Sequence, residues 1–283
     1  MQWRGRDMTI ESSRDPEAFS EFEHNGWQTA SAGYEQHFAR LTCQAVPATL
    51  DAVNVTQGVS LLDVCTGPGM LASAAQQRGA QVMGLDFSSE MIGIAKRSVP
   101  GAEFKQGDAC NLPFENGKFD AVVCGFGIFH LPEPRRALLE MHRVLKHGGR
   151  VATSVWEGPK STNGMGILFG SIKAHGNLDV PLPHGPDFFQ FSEQEKMASA
   201  LQDAGFCDIE VRTIEQIWEF DDPLGIVKAI MEGGVRARAL LLAQTDSAQI
   251  AISRAVEEGM ERYFTSGGVY RVPMPALIGA GTK

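Results

Sequence analysis

Leu62-Asp63-Val64-Cys65-Thr66-Gly67-Pro68-Gly69-Met70-Leu71-Ala72 is the stretch on which the fold turns. The apolar run from Val59 to Val64 reads as a short buried strand and Thr66 to Gly69 as a tight turn. Met70 to Arg78, with Leu71, Ala74 and Ala75 on one side, reads as a helix. Glycines at a strand-to-helix turn let the backbone come close to a ligand, and the opening of the helix presents free N–H groups. Taken alone, Gly67-x-Gly69-x-x-Ala72 also fits a dinucleotide fingerprint. Asp63 argues the other way. A carboxylate at the carboxyl end of the strand repels a pyrophosphate and suits a positively charged ligand group, such as the ammonium of a methionine moiety.

Outward from this turn the same rhythm repeats. Strands are expected over 81–86, 102–106, 119–124 and 150–156. Helices are expected over 88–97, with Met91, Ile94 and Ala95 aligned, and before Gly148-Gly149, with Leu138, Met141 and Leu145 aligned. Such alternation, with continuously apolar strands, predicts an α/β fold: a parallel sheet covered on both faces. Helical spacing is also expected from Trp27 to Val53, and residues 1–26 read as a polar mobile arm. Past Trp156 the rhythm changes. Residues 157–191 read as an insertion, Ser192 to Ala204 as a helix, Ile209 to Phe220 as a sixth strand, 221–268 as a largely helical second insertion, and 275–280 as a last strand. The expected organisation is one domain over 27–283, with a cofactor-binding core at 55–156 and the two insertions forming a substrate cap.

Composition narrows the function. Of 283 residues, 25 are Lys or Arg and 34 Asp or Glu, a formal charge of −9, which offers phosphate backbones and anionic lipid no long-range attraction. No apolar run reaches the ~18–20 residues of a membrane span. The start, Met1 to Arg6, lacks the apolar stretch of a signal peptide, and Met8 is as good a natural start as Met1. Five cysteines without a C-x-x-C pair read as reduced thiols. The expectation is a cytoplasmic protein that works without metal on a small-molecule partner rather than on nucleic acid, with the oligomeric state left open.

Two more acids follow successive strands. Asp86 ends the second strand, where a carboxylate can accept both hydroxyls of a ribose; the competing reading is a cap for the helix that begins at Ser88. Asp108, in Gly107-Asp108-Ala109, follows the third strand and can accept an adenine amino group, or serve as an ordinary turn aspartate. Three acids in order after three strands point to one ligand.

These residues, with Phe119-Asp120-Ala121-Val122 and Leu145-Lys146-His147-Gly148-Gly149-Arg150, resemble the successive motifs of class I S-adenosylmethionine-dependent methyltransferases. The segment from Phe126-Gly127-Ile128-Phe129-His130-Leu131 to Glu140-Met141-His142-Arg143-Val144-Leu145 is most similar to the ubiquinone/menaquinone-type C-methyltransferases and related small-molecule enzymes. The likeness covers about residues 27–156. It implies a Rossmann-like seven-stranded, mostly parallel sheet with the last strand antiparallel, and S-adenosylmethionine across the carboxyl ends of strands one to four. By motif position, Asp63, Thr66, Gly67 and Gly69 would face the methionine part and Asp86 with Phe87 the ribose. Asp108 and Ala109 would face the adenine, and Gly125 and Phe126 the sulfonium. Met91 would pack on the adenine, or else in the core. Tyr34 matches a position that closes over the methionine carboxylate, or is a helix-packing aromatic. Cys65-Thr66 departs from the usual small or Gly-rich pair in the turn.

The resemblance implies methyl transfer to carbon or oxygen of a small organic molecule by in-line displacement, in which the protein supplies alignment and excludes water. His130, just past the fourth strand, is the candidate general base; the competing reading is a loop-ordering histidine. Trp156, Phe188 and Phe189 are candidate pocket walls, and His175 and His184 lie in the first insertion. Two alternatives stand beside this reading: an NAD-dependent oxidoreductase, allowed by the glycine turn, and a fold-retaining S-adenosylmethionine-binding protein with other chemistry.

Overall fold

Asp15 opens the first helix. Its carboxylate accepts from the backbone N–H groups of Glu17 and Ala18, each at 3.1 Å, and Pro16 takes the first helical position, where no N–H is needed. The computed structural model describes residues 15–283. The helix so capped, α1 (Pro16–His37), is followed by α2 (Ala39–Thr42) and α3 (Val46–Ala52). The expected arm thus lies partly outside the described residues, and from Pro16 onward it is helix. The chain around Phe19 and Glu23 buries one side despite its polar composition, so the reading of 16–26 as a mobile arm is corrected.

The alternating core follows as β1 (Ser60–Val64), α4 (Met70–Gln77), β2 (Gln81–Asp86), α5 (Ser89–Ser98), β3 (Glu103–Gln106), β4 (Phe119–Gly125), α6 (Pro134–Val144) and β5 (Leu145–Trp156). Beyond it come α7 (Gly164–His175), α8 (Gln194–Asp203), β6 (Cys207–Ile214), β7 (Ile217–Phe220), α9 (Gly225–Gly233), α10 (Arg236–Leu242), α11 (Asp246–Met260), β8 (Tyr270–Pro273) and β9 (Ala276–Thr282). Seven strands form one sheet in the order β3-β2-β1-β4-β5-β9-β6. All pairs are parallel except those of β9, which runs antiparallel between β5 and β6, with Ile278 opposite both Ser154 and Arg212. The expected fold class is borne out. Leu61, Leu62, Val122, Val123 and Val151 are wholly buried in the middle of the sheet, as strands covered on both faces require.

Four local expectations change. Leu145 is the first residue of β5 rather than the last of α6, because β4 recruits it opposite Phe119. The insertion at 157–191 contains α7, opened by Asn163, whose side chain accepts from Gly166 N at 2.8 Å; its glycines hid an apolar face of Met165, Ile167, Leu168 and Ile172. The long sixth strand is two. Gln216 separates them, its buried side-chain amide donating to Leu41 O at 2.7 Å, and β7 leaves the main sheet to pair with β8. The second insertion is therefore framed by a two-stranded ribbon, with α9, α10 and α11 inside it.

Candidate active site

The carboxyl ends of β1, β2 and β4 converge under α1. Gly67 has φ +53° and Gly69 φ +90°, conformations that L side chains rarely adopt, and a side chain added at Gly67 would project into open space. The turn is held from β2: Asp86 Oδ2 accepts from Gly67 N and Oδ1 from Ser88 N, each at 2.9 Å. Asp86 thus braces the glycine turn and the approach to α5 while lining the cleft. Ser88, not Asp86, caps α5, accepting from Met91 N.

Asp63 is buried at the end of β1. Its Oδ2 accepts from Thr66 Oγ1 at 2.7 Å, whereas Oδ1 is buried with no hydrogen-bond partner among the described residues. Burial pushes its pKa up to about 7, and burial also lifts Asp86 to about 6 against the backbone N–H groups that favour its charge. A carboxylate so placed, short of one donor and costly to ionise, fits a cationic ligand group.

The cleft is lined by Tyr34, Asp63, Thr66, Gly67, Asp86, Phe87, Met91, Gly125, Phe126 and His130. Gly69 lies one step behind it as the residue before α4. A narrow extension, lined by Asp86, Phe87, Asp108, Ala109 and Leu131, continues the cleft toward β3. Asp108 is exposed there and also accepts from Cys110 N at 2.8 Å. The sequence-expected residues therefore lie along one continuous depression. Tyr34 sits on α1, half-buried, and burial pushes its hydroxyl up to about 12, so it is a neutral donor.

A second cavity, of about 260 Å³, adjoins the first and shares Trp27, Tyr34, Phe126 and His130 with it. Its other walls include Trp156 at the end of β5 and, from the two insertions, Met165, Phe169, His184, Phe188 and Arg236. Of the candidate walls, Trp156 and Phe188 line this cavity, whereas Phe189 packs behind, against Phe169 and Phe188. His184 is on the rim; His175 is on neither cavity.

At the junction His130 Nδ1 is 3.0 Å from Glu23 Oε2, and Trp27 Nε1 donates to the same oxygen at 3.1 Å. Glu23 is wholly buried on α1, 107 residues away in sequence. Indole donates only and a carboxylate accepts, so the network assigns a proton to Nδ1; in the neutral ring Nε2 then keeps its lone pair. Among the described residues the His130 ring bonds Glu23 on α1 rather than loop backbone. Glu23, Trp27 and Arg236 were not expected from the sequence. Phe19, Glu23, Trp27, Ala30 and Tyr34 do recur every three or four residues behind an Asp-Pro cap, a signal strong enough to find α1 and with it two of the three.

Residues 62–153 match a family model described as a methyltransferase domain. Demethylmenaquinone methyltransferase of Renibacterium salmoninarum is 33% identical over 174 residues, covering 58% of this chain and 73% of that one. The chain belongs to the class I S-adenosylmethionine-dependent methyltransferases. Within them this methyltransferase falls in the quinone C-methyltransferase group; it is also 34% identical over 181 residues to demethylmenaquinone methyltransferase of Staphylococcus epidermidis, 58% of this chain and 74% of that one. Phosphoethanolamine N-methyltransferase 2 of Haemonchus contortus, solved with S-adenosyl-L-methionine, shares the fold with a TM-score of 0.57 at 19% identity, over 93% of this chain and 60% of that one. The methyltransferase uses S-adenosylmethionine to methylate a small molecule, and the oxidoreductase and non-methyl alternatives have no support. The unsatisfied Oδ1 of Asp63 and the open side of Gly67 fit that cofactor's ammonium-bearing end. Among the described residues no helix is long and apolar enough to cross a membrane.

Proposed function

We propose that this methyltransferase alkylates carbon or oxygen of a small aromatic acceptor, with His130 as the general base and Glu23 as its positioning residue. The observation that carries the proposal is the Glu23–His130 pair at the junction of the two cavities. On this reading Asp63 faces the cofactor's ammonium, Thr66, Gly67 and Gly69 shape the methionine end, and Tyr34 donates toward the carboxylate. Asp86 with Phe87 takes the ribose, Asp108 and Ala109 the adenine, with Met91 packed alongside, and Gly125 and Phe126 border the methyl group. The core over 55–156 holds the cofactor, and the insertions at 157–191 and 221–268, together with α1, cap the acceptor.

When bound, S-adenosylmethionine supplies an electrophilic methyl group on a sulfur that leaves as a neutral thioether. The chain's own part is alignment and proton removal. Trp156, Phe126 and Phe188 offer flat apolar walls on which an aromatic ring can stack while water is excluded. His130 Nε2 accepts a proton from an acidic O–H or from an activated carbon, and Glu23 then faces the resulting imidazolium through Nδ1–H. Glu23, shared with Trp27 Nε1, accepts from Nδ1–H and so holds the ring in place. The relatives named for demethylmenaquinone support an aromatic quinol-like acceptor. The net negative charge disfavours nucleic acid and fits a cytoplasmic enzyme.

The test is S-adenosylhomocysteine release by the purified protein with a panel of phenols, quinols and enols. Acceptor-dependent release is expected. Release that is indifferent to replacing His130 with Ala would remove the proposed base, and no release with any oxygen-bearing aromatic would remove the acceptor class.

A further inference from the structure

Among the described residues that line the second cavity, Arg236 supplies the only permanent positive charge. Its guanidinium lies between two rings, 5.2 Å from the Phe19 centroid and 5.4 Å from that of Phe188. One Nη donates to Pro186 O at 3.1 Å. The other, Nη1, is buried without a hydrogen-bond partner among the described residues. The nearest acid, Glu23, comes only to 3.9 Å from Nε, too far for a hydrogen bond, and its other oxygen already serves His130 and Trp27. Asp187, exposed to solvent, is the other acid whose charge reaches Arg236.

A buried guanidinium N–H without an acceptor costs stability even with an opposite charge near, here the Glu23 carboxylate at 3.9 Å. Two aromatic rings and a backbone carbonyl hold its orientation all the same. Groups kept in this state are characteristic of ligand sites, where the missing partner arrives with the ligand. We propose that Arg236 is an anion anchor and that the acceptor is an aromatic acid whose carboxylate bonds Nη1. The inference rests on the proposed function, since it takes the second cavity to be the acceptor site. A guanidinium N–H to a carboxylate joins opposite charges, whereas to a neutral oxygen only the donor is charged. It also fixes which end of the ring system enters first and so which ring atom is turned toward His130. A neutral amide of the same shape offers Arg236 only a carbonyl.

Matched probes separate the two. The affinity of 3-hydroxy-2-naphthoate and of 3-hydroxy-2-naphthamide is measured by calorimetry on the full chain loaded with S-adenosylhomocysteine. In the unsubstituted protein the acid is expected to bind at least tenfold more tightly than the amide. Arg236→Met should bring that ratio to about one and Arg236→Lys should leave an intermediate ratio, while each variant still binds S-adenosylhomocysteine. An equal or reversed preference in the unsubstituted protein, a ratio unchanged in Arg236→Met, or no binding of either probe up to its solubility would overturn the anchor. Failure to bind S-adenosylhomocysteine at all would instead overturn the placing of the cofactor, so the two failures are told apart.

Discussion

The two cavities of this methyltransferase are built by different rules. The cleft proposed for the cofactor is made from residues at or just past the carboxyl ends of strands, Asp63 to Gly67, Asp86 to Ser88 and Asp108 to Ala109, and its polar groups brace one another through short bonds. The second cavity is assembled from α1, the segment after β4, both insertions and α10, and its polar groups meet across long stretches of chain. Glu23 is 107 residues from His130, and Arg236 reaches the same carboxylate from a further helix. The cleft is thus a property of the sheet edge and comes with the fold. The second cavity is a property of packing, where a small change in one helix alters what is bound.

Substitutions at the junction should break this contrast most visibly. Replacing His130 with Ala is expected to lower kcat by about 10²–10⁴, with cofactor affinity within a few-fold of the parent; steady-state kinetics beside cofactor titration would separate the two. Glu23→Gln should cost less than that, because Nδ1 keeps a partner while the imidazolium loses its counter-charge. Its signature is a lowered kcat with KM and cofactor Kd unchanged, and a larger loss in Glu23→Ala, where Nδ1 has no partner.

Within the cleft the expected losses are smaller. Asp86→Ala removes acceptors for Gly67 N and Ser88 N as well as for a ribose, and should weaken S-adenosylmethionine binding by about 1–3 kcal/mol. An unchanged Kd in that variant would return Asp86 to a purely bracing role. Acid should act in the same direction. Asp63 and Asp86 are raised to about 7 and about 6, so in the folded protein both take up protons between pH 8 and pH 5. A cationic ligand group prefers the ionised form, so cofactor affinity should fall as pH drops through that window, and the steepest part should vanish in Asp63→Asn. The stability sign is opposite. Raised carboxyl pKa values mean that these two groups favour the folded apo-protein most below the unfolded value of about 4, and that this contribution is lost as pH rises through 6 to 7. The smallest effect is expected at Gly67→Ala, where a Cβ meets no neighbour but φ of +53° is strained. A stability loss of about 1 kcal/mol, read by denaturant unfolding, would fit a purely conformational cost.

How much of this was legible in the sequence follows the same division. The strands, the glycine turn and the three acids are local signals, and the structure brings all three acids to one depression. Misreadings arose where neighbours outvoted local pattern. Leu145 continued the helical spacing of Leu138 and Met141 but was claimed by pairing with Phe119. Gln216 looked like one polar residue in a strand and instead bends the chain away to reach Leu41. The first half of α1, residues 16–26, looked like a polar arm because its buried positions include Glu23, whose partners Trp27 and His130 are what make its burial tolerable. Arg236 carried no sequence signal at all; it is one cation on a seven-residue helix, and only the rings of Phe19 and Phe188 distinguish it.

The lone oxygen of Asp63 has a further consequence for how cofactor loading is measured. With a pKa near neutrality, part of the empty protein carries hydrogen on that carboxyl, and on the proposed placing of the cofactor an arriving ammonium would expel it into the medium. The heat of loading at pH 7 will therefore depend on the buffer chosen, differing between one that absorbs the released hydrogen ion with little enthalpy and one that does so strongly, while the binding constant stays the same in both.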